Sequence, residues 1–251
     1  LLKWLRRQVE QSTVEIHLNT EATVDTLRRM NFDEVIIATG AQRSMPEGIP
    51  GSDQDFVFSG EEMRALVLSE SHPGLKRKTN TFTRLMVKAG ALTGATSIPE
   101  LVRQASKVWL PLGKKATIIG SELVGLELAE FLAERGRTVT VMDESSDVGK
   151  GLYLVRRMRL LEELNLLGVV LIRKANGIVI DNHKVSYTNS RGQVRSLKAD
   201  HVIVAKGASG DTSLAETFKE AGFTTHTIGD CDGISYIEGA MESAAELAAS
   251  L

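Results

Sequence analysis

A chain of 251 residues with 42% hydrophobic residues, 25% charged residues and a formal net charge of −2 has the balance of a globular α/β protein with room for two domains. Near-neutral charge supplies no electrostatic reason to expect nucleic acid or a membrane surface as partner, so a small molecule is expected instead. The single cysteine, Cys231, excludes an internal disulfide and any CxxC redox pair, which fits a reducing cytoplasm, and no apolar run is long enough to span a bilayer.

Leu1 to Val9 already runs at helical period with no initiating Met and no cap before it, which predicts further sequence upstream. A short alternating strand is expected over Val14–Leu18, a helix capped by Thr23 over Val24–Met30, and a strand over Phe32–Ala38. Ala38-Thr39-Gly40 then leads into Met45 to Gly51, where Pro and Gly supply turns. Ser59 and Glu62 form a capping box that opens a helix. The stretch from there to Trp109-Leu110-Pro111 reads as a connector, with Lys76-Arg77-Lys78 as a solvated loop.

The pattern sharpens from Lys115 to Asp143: a strand at Ala116–Ile119, a glycine-containing turn, a helix to Arg135 stopped by Gly136, and a strand at Thr138–Met142. A helix over Leu152–Leu167, a strand at Val169–Ile172, a three-stranded meander between Ile178 and Lys198, and a strand at His201–Ala205 follow. The last units are Thr225 to Asp230 and a helix of small residues from Ile237 onward.

Gly120-Ser121-Glu122-Leu123-Val124-Gly125 lies between a buried strand and a helix, where helix N-terminal amides can hold a pyrophosphate. Asp143 ends the next strand, the position from which a carboxylate accepts hydrogen bonds from the adenosine ribose and repels a 2′-phosphate, so NAD(H) is favoured over NADP. Glu122 stands where the middle glycine of the fingerprint belongs. Glu127 on the following helix is a candidate for the nicotinamide end. The five histidines have no ligand spacing, so no metal site is predicted.

Val35 to Gly40, Ile49-Pro50-Gly51, Ile118 to Ala129, and Ile228-Gly229-Asp230 with Ile237 to Ala240 follow the order found in flavoproteins with two dinucleotide-binding domains, which the chain resembles over nearly its whole length. Trp109 to Lys114 and Leu123 to Leu132 resemble the C-terminal part of Old Yellow Enzyme-like NADH:flavin oxidoreductases, the group of 2,4-dienoyl-CoA reductase, 2-enoate reductase and trimethylamine dehydrogenase.

The resemblance implies a Rossmann-type NAD(P)-binding domain at residues 107–209, inserted in an incomplete FAD-binding domain made of residues 1–106, with the helical connector, and 210–251. It implies that Thr39 and Gly40 pass the FAD, and that Gly229 and Asp230 meet its ribityl or pyrophosphate region. The helix at Ile237 would aim amides at the flavin ring. Ala205-Lys206-Gly207 takes the place of a second turn of this kind, with Gly207 as its nucleotide-facing glycine and a charge where Thr or Leu is usual.

The resemblance implies that the first Gly-rich unit of the FAD domain, which residues 1–251 do not supply, lies in upstream sequence, and a flavin barrel with FMN and an iron-sulfur cluster is expected there too. The expected partners are the nucleotide cofactors and that barrel, with a homo-oligomer allowed. No side chain is assigned as catalytic, because hydride transfer rests on positioning. Two other readings stay open: a degenerate non-catalytic module, supported by Glu122 and Lys206, and a disulfide reductase, opposed by the single cysteine.

Overall fold

A computed structural model describes residues 2–43, 45–68, 72–79, 83, 104–107, 110–206 and 208–251. In chain order its elements begin with α1 (Leu2–Glu10), α2 (Val24–Met30), β1 (Glu34–Ile37), β2 (Gln42–Arg43), β3 (Val57–Ser59), α3 (Gly60–Leu68) and α4 (Leu75–Lys78). There follow β4 (Lys115–Ile119), α5 (Leu123–Ala133), β5 (Thr138–Met142), α6 (Leu154–Leu166), β6 (Val170–Ile172), β7 (Asn176–Asp181), β8 (Lys184–Thr188) and β9 (Val194–Lys198). The described chain ends with β10 (His201–Val204), β11 (Ala208–Ser209), α7 (Ser213–Glu220), β12 (Thr224–Thr227) and α8 (Tyr236–Ser250).

These elements form two compact units, one of Leu1–Gly40, Asp211–Asp232 and Tyr236–Leu251, the other of Ala41–Gly210 and Gly233–Ser235. In the first, β1 and β12 pair in parallel, with Glu34 opposite Thr224 and Ile37 opposite Thr227. Leu27 of α2, Ala215 and Phe218 of α7, Ile37 and Cys231 make its core. Helix α2 begins where expected, because the Thr23 hydroxyl accepts from Thr26 N at 3.2 Å, and it stops at Asn31, which takes the left-handed conformation at φ 57°.

The second unit is built on a five-stranded parallel sheet of order β3-β10-β4-β5-β6. Successive residues of a strand point to opposite faces, and both faces are covered. Ile118 packs with Leu126 and Leu132 of α5 and Leu160 of α6. Its neighbour Ile119 packs with Ile178 and Ile180 of β7 and Val185 of β8, so the antiparallel meander β7-β8-β9 forms the second covering layer. Each such fully buried aliphatic side chain contributes about 1.5–3 kcal/mol.

Four expectations change. Val14–Leu18 joins no sheet among the described residues, and Val14, Ile16 and Leu18 are all exposed; their alternation finds no strand to pair with. Val57–Ser59 is a sheet strand, paired with β10 from Val57↔Val202 to Ser59↔Val204, so the chain from Ala41 groups with the central unit rather than with the N-terminal segment.

The Ser59–Glu62 capping box is present, with Ser59 N donating to Glu62 Oε2 at 2.8 Å and Glu62 N to Ser59 Oγ at 3.1 Å. The basic triplet is helical rather than a loop, and although Lys76 and Arg77 are solvated as expected, Lys78 is not: its Nζ lies 2.7 Å from Glu62 Oε2, with side-chain exposures of only 7% and 8%. The fourth change is α7, which the sequence reading passed over although Ala215 and Phe218 at helical spacing are buried. Of the connector expected up to Trp109, residues 69–71, 80–82, 84–103 and 108–109 lie outside the described residues.

Candidate functional site

Strand β4 is buried from Ala116 to Ile119 and delivers the chain to Gly120. There φ is +120°, and a Cβ would lie 2.7 Å from the Ala205 carbonyl oxygen, so only glycine fits. A Cβ on Gly125 would fall 2.1 Å from the Gly120 carbonyl oxygen, and its absence lets α5 close onto the turn.

Glu122, by contrast, has φ −80° and ψ −178°. That is ordinary extended backbone, and the missing middle glycine therefore costs the fold nothing. The Glu122 side chain is exposed and makes no capping hydrogen bond to α5. The first-turn amides, those of Leu123 and Val124 among them, receive no side-chain cap, and the positive end of the helix dipole faces the turn. An anion is the natural acceptor at such a terminus.

Asp143 sits directly beside it. Its Oδ2 accepts from Ser121 N at 2.7 Å, and Oδ1 accepts from Ser145 N at 3.0 Å and from Lys206 Nζ at 3.2 Å. Burial alone would raise the Asp143 pKa, but the Ser145 and Ser121 donors and the Lys206 charge outweigh it and hold the carboxyl below its ordinary range.

A hollow of about 360 Å³ opens next to this cluster, lined by Ile119, Glu144, Lys206, the Pro46–Pro50 segment and Gly177 to Val179. It lies at the carboxyl ends of β4 and β10, where the strand order departs from β4 in both directions, the usual ligand position in an open α/β sheet. Sequence reasoning named Gly120, Ser121 and Asp143, which the structure brings together. It passed over Glu144 and the Pro46–Pro50 wall, and it treated Lys206 only as a departure from a turn. A cation placed just beyond a strand at the sheet's switch point was the available signal. Glu127 is half-exposed and pairs with Arg156 Nη2 of α6 at 3.0 Å. Gly207 lies outside the described residues.

In the other unit a hollow of about 320 Å³ is lined by Ala38, Gly40, Ile228, Gly229, Asp230, Tyr236, Ile237 and Ala240. Small residues form much of this wall, and a Cβ on Gly229 would approach the Ala240 Cβ to 3.3 Å. Gly229 N donates to Ser243 Oγ at 3.0 Å, and Asp230 Oδ1 accepts from Tyr236 N at 2.8 Å, which caps α8. Thr39 is exposed and does not line the hollow. Cys231 is fully buried, its thiol donating to the Ile37 and Ile228 carbonyls at 3.3 and 3.1 Å.

A parallel sheet ending in a Gly-rich turn, an uncapped helix start and an acidic strand end together define a nucleotide-binding α/β protein. The chain belongs to the pyridine nucleotide-disulphide oxidoreductase family, whose model matches residues 4–233. It is 24% identical over 249 residues to an NADH oxidase of Thermoanaerobacter brockii, covering 98% of this chain and 32% of that protein. It is 23% identical over 253 residues to a cinnamate reductase of Clostridium sporogenes, covering 100% of this chain and 31% of that protein.

A solved 2-naphthoyl-CoA reductase superimposes with a TM-score of 0.72 at 22% identity, covering 100% of this chain and 32% of that one. The chain thus spans about a third of the length of the relatives it matches. The family consists of flavin-dependent NAD(P)H oxidoreductases, and the expected resemblance to the 2-enoate reductase and trimethylamine dehydrogenase group agrees with these relatives. Among the described residues, no helix is long and apolar enough to cross a membrane.

Proposed function

We propose that this chain is the nucleotide-handling part of a larger flavin-dependent oxidoreductase in which hydride passes from NADH to FAD and electrons continue to a second centre, FMN with an iron-sulfur cluster, elsewhere in the protein. The observation that carries the reading is the turn at Gly120, where the uncapped start of α5 stands beside the Asp143 carboxylate. A coenzyme diphosphate fits the helix terminus, because Glu122 points into solvent and leaves the first-turn amides open. In this reading Asp143 serves the adenosine ribose, and Glu144 and Glu47 beside the same hollow add negative charge that favours NADH over NADPH.

For the flavin, the small residues Gly40, Gly229 and Ala240 leave room for a cofactor, and Asp230 and the start of α8 supply polarity. Hydride donation and acceptance are properties of the nicotinamide and the flavin themselves. The chain's own residues bind and orient, and we assign none of them a proton to move.

A second reading, a module that keeps the fold without using the coenzyme, is supported by Asp143, whose oxygens already serve three donors. Anaerobic addition of NADH to the full-length protein separates the two. Bleaching of the flavin absorbance is expected, and an oxidised flavin together with no measurable NADH affinity would overturn the proposal.

A further inference from the structure

The pairing of Lys206 with Asp143 has no part in the proposed binding of the coenzyme so far. Lys206 lies two residues beyond the end of β10, and its Cγ lies 2.9 Å from the position a Gly120 Cβ would take, so the stem crosses the fingerprint turn. Its ammonium then reaches Asp143 Oδ1 at 3.2 Å, with side-chain exposures of 30% for the lysine and 9% for the aspartate. Lys206 also lines the hollow of about 360 Å³, in which the other charged lining residues are Glu47 and Glu144.

A cation at this position acts on the adenosine ribose end in a specific way. A lone carboxylate at the end of the second strand excludes a 2′-phosphate by charge repulsion and rewards a ribose diol by hydrogen bonding. With an ammonium 3.2 Å away, much of that repulsion is cancelled, since opposite charges in a partly buried setting are weakly screened. The same ammonium occupies a lone pair of Oδ1 that a ribose hydroxyl would otherwise use.

The geometry points to Lys206 as the residue that sets how strongly this site discriminates between NADH and NADPH, by neutralising Asp143 beside the ribose position. Glu47 and Glu144 keep the preference on the NADH side, and Lys206 limits its size. This inference rests on the proposed coenzyme site and extends it to specificity.

The test measures dissociation constants for NADH and NADPH on the whole chain, by fluorescence or calorimetric titration, in wild type and three variants. In Lys206→Met the ratio of the NADPH constant to the NADH constant rises, on the order of tenfold for one uncompensated charge near a phosphate. In Lys206→Arg the ratio stays within about twofold of wild type, since the charge is kept. In Asp143→Asn the ratio moves the opposite way, because the cation now stands alone.

If Lys206 serves only to hold the turn, both constants change in parallel and the ratio does not move; that result in Lys206→Met overturns the inference, as does an unchanged ratio in Asp143→Asn should Lys206→Met fail to fold. A wild-type chain that binds neither dinucleotide overturns the proposed function instead, and this specificity role with it.

Discussion

Gly125 faces the carbonyl of Gly120 so closely that a single methyl group on it would sit 2.1 Å from that oxygen. The first turn of α5 is thereby held against the end of β4, and the amide cluster and Asp143 stay in one place. Gly125→Ala must push the helix away. We expect a loss of about 1–3 kcal/mol in stability, as for other overpacked interiors, with a parallel fall in NADH affinity. Denaturant unfolding and NADH titration of the same variant check both.

Glu122 makes the opposite prediction. Its backbone is unstrained and its carboxylate is exposed at the helix start, so Glu122→Gln lowers stability by no more than the roughly 0.3–1 kcal/mol that a charge at a helix N-terminus contributes. Removing a negative charge next to a diphosphate position strengthens binding modestly, by about threefold at low salt. NADH titrations at low and high ionic strength read this out, and the gain should shrink as salt rises. Equal affinities at low salt would show that the diphosphate does not bind at this terminus.

His201 governs the stability of the central unit in mild acid. Burial holds its imidazole below the ordinary value, His183 acts in the same direction and Asp200 against it. Gly113 N donates to its Nδ1 at 2.9 Å, which requires that nitrogen to stay unprotonated. The folded chain therefore takes up the proton at a lower pH than the unfolded chain. Its contribution is complete above about pH 6.5, the unfolded value, and is lost as pH falls through the folded value. Asp143, also lowered, adds a second loss only below about pH 4. His201→Gln should flatten the upper of these two slopes in a pH series of thermal unfolding midpoints and leave the lower one in place.

Lys78 and Glu62 are buried together, and removing the lysine leaves the buried Glu62 charge with the Ser59 amide but no counter-charge. Lys78→Met is expected to cost about 3–5 kcal/mol, with a substantial part recovered in the double variant Lys78→Met with Glu62→Gln. Thermal unfolding of the single and double variants measures the recovery. No recovery would assign the cost to the lysine's other contacts, among them its ammonium 5.7 Å from the centre of the Phe58 ring, rather than to the pair with Glu62.

The βαβ crossover, the meander and the helix opening at Ser59 were legible because each carries a local signal: strand periodicity, a glycine stop or a capping box. The strand β3 was not, since three residues are too few to show alternation and Ser59 also serves as the cap of the next helix. Val14–Leu18 showed alternation without a strand, because pairing is decided by a neighbour that local pattern does not report. At the site, the glycines and Asp143 were visible from spacing. The Lys206–Asp143 contact joins positions 63 apart in the chain, and only the return of β10 to the side of β4 brings them together.

The pairing of β1 with β12 has a consequence for how the molecule is made. Glu34 meets Thr224 only after the entire Ala41–Gly210 unit has been synthesised. Every strand of the central sheet is complete by then, so that unit can collapse while the ribosome is still extending the chain. Once it has, the long intervening segment is shortened to the span between its two ends, and the closure entropy that opposes so distant a pairing falls. The pairing that joins the two flanking segments is thus the last to form.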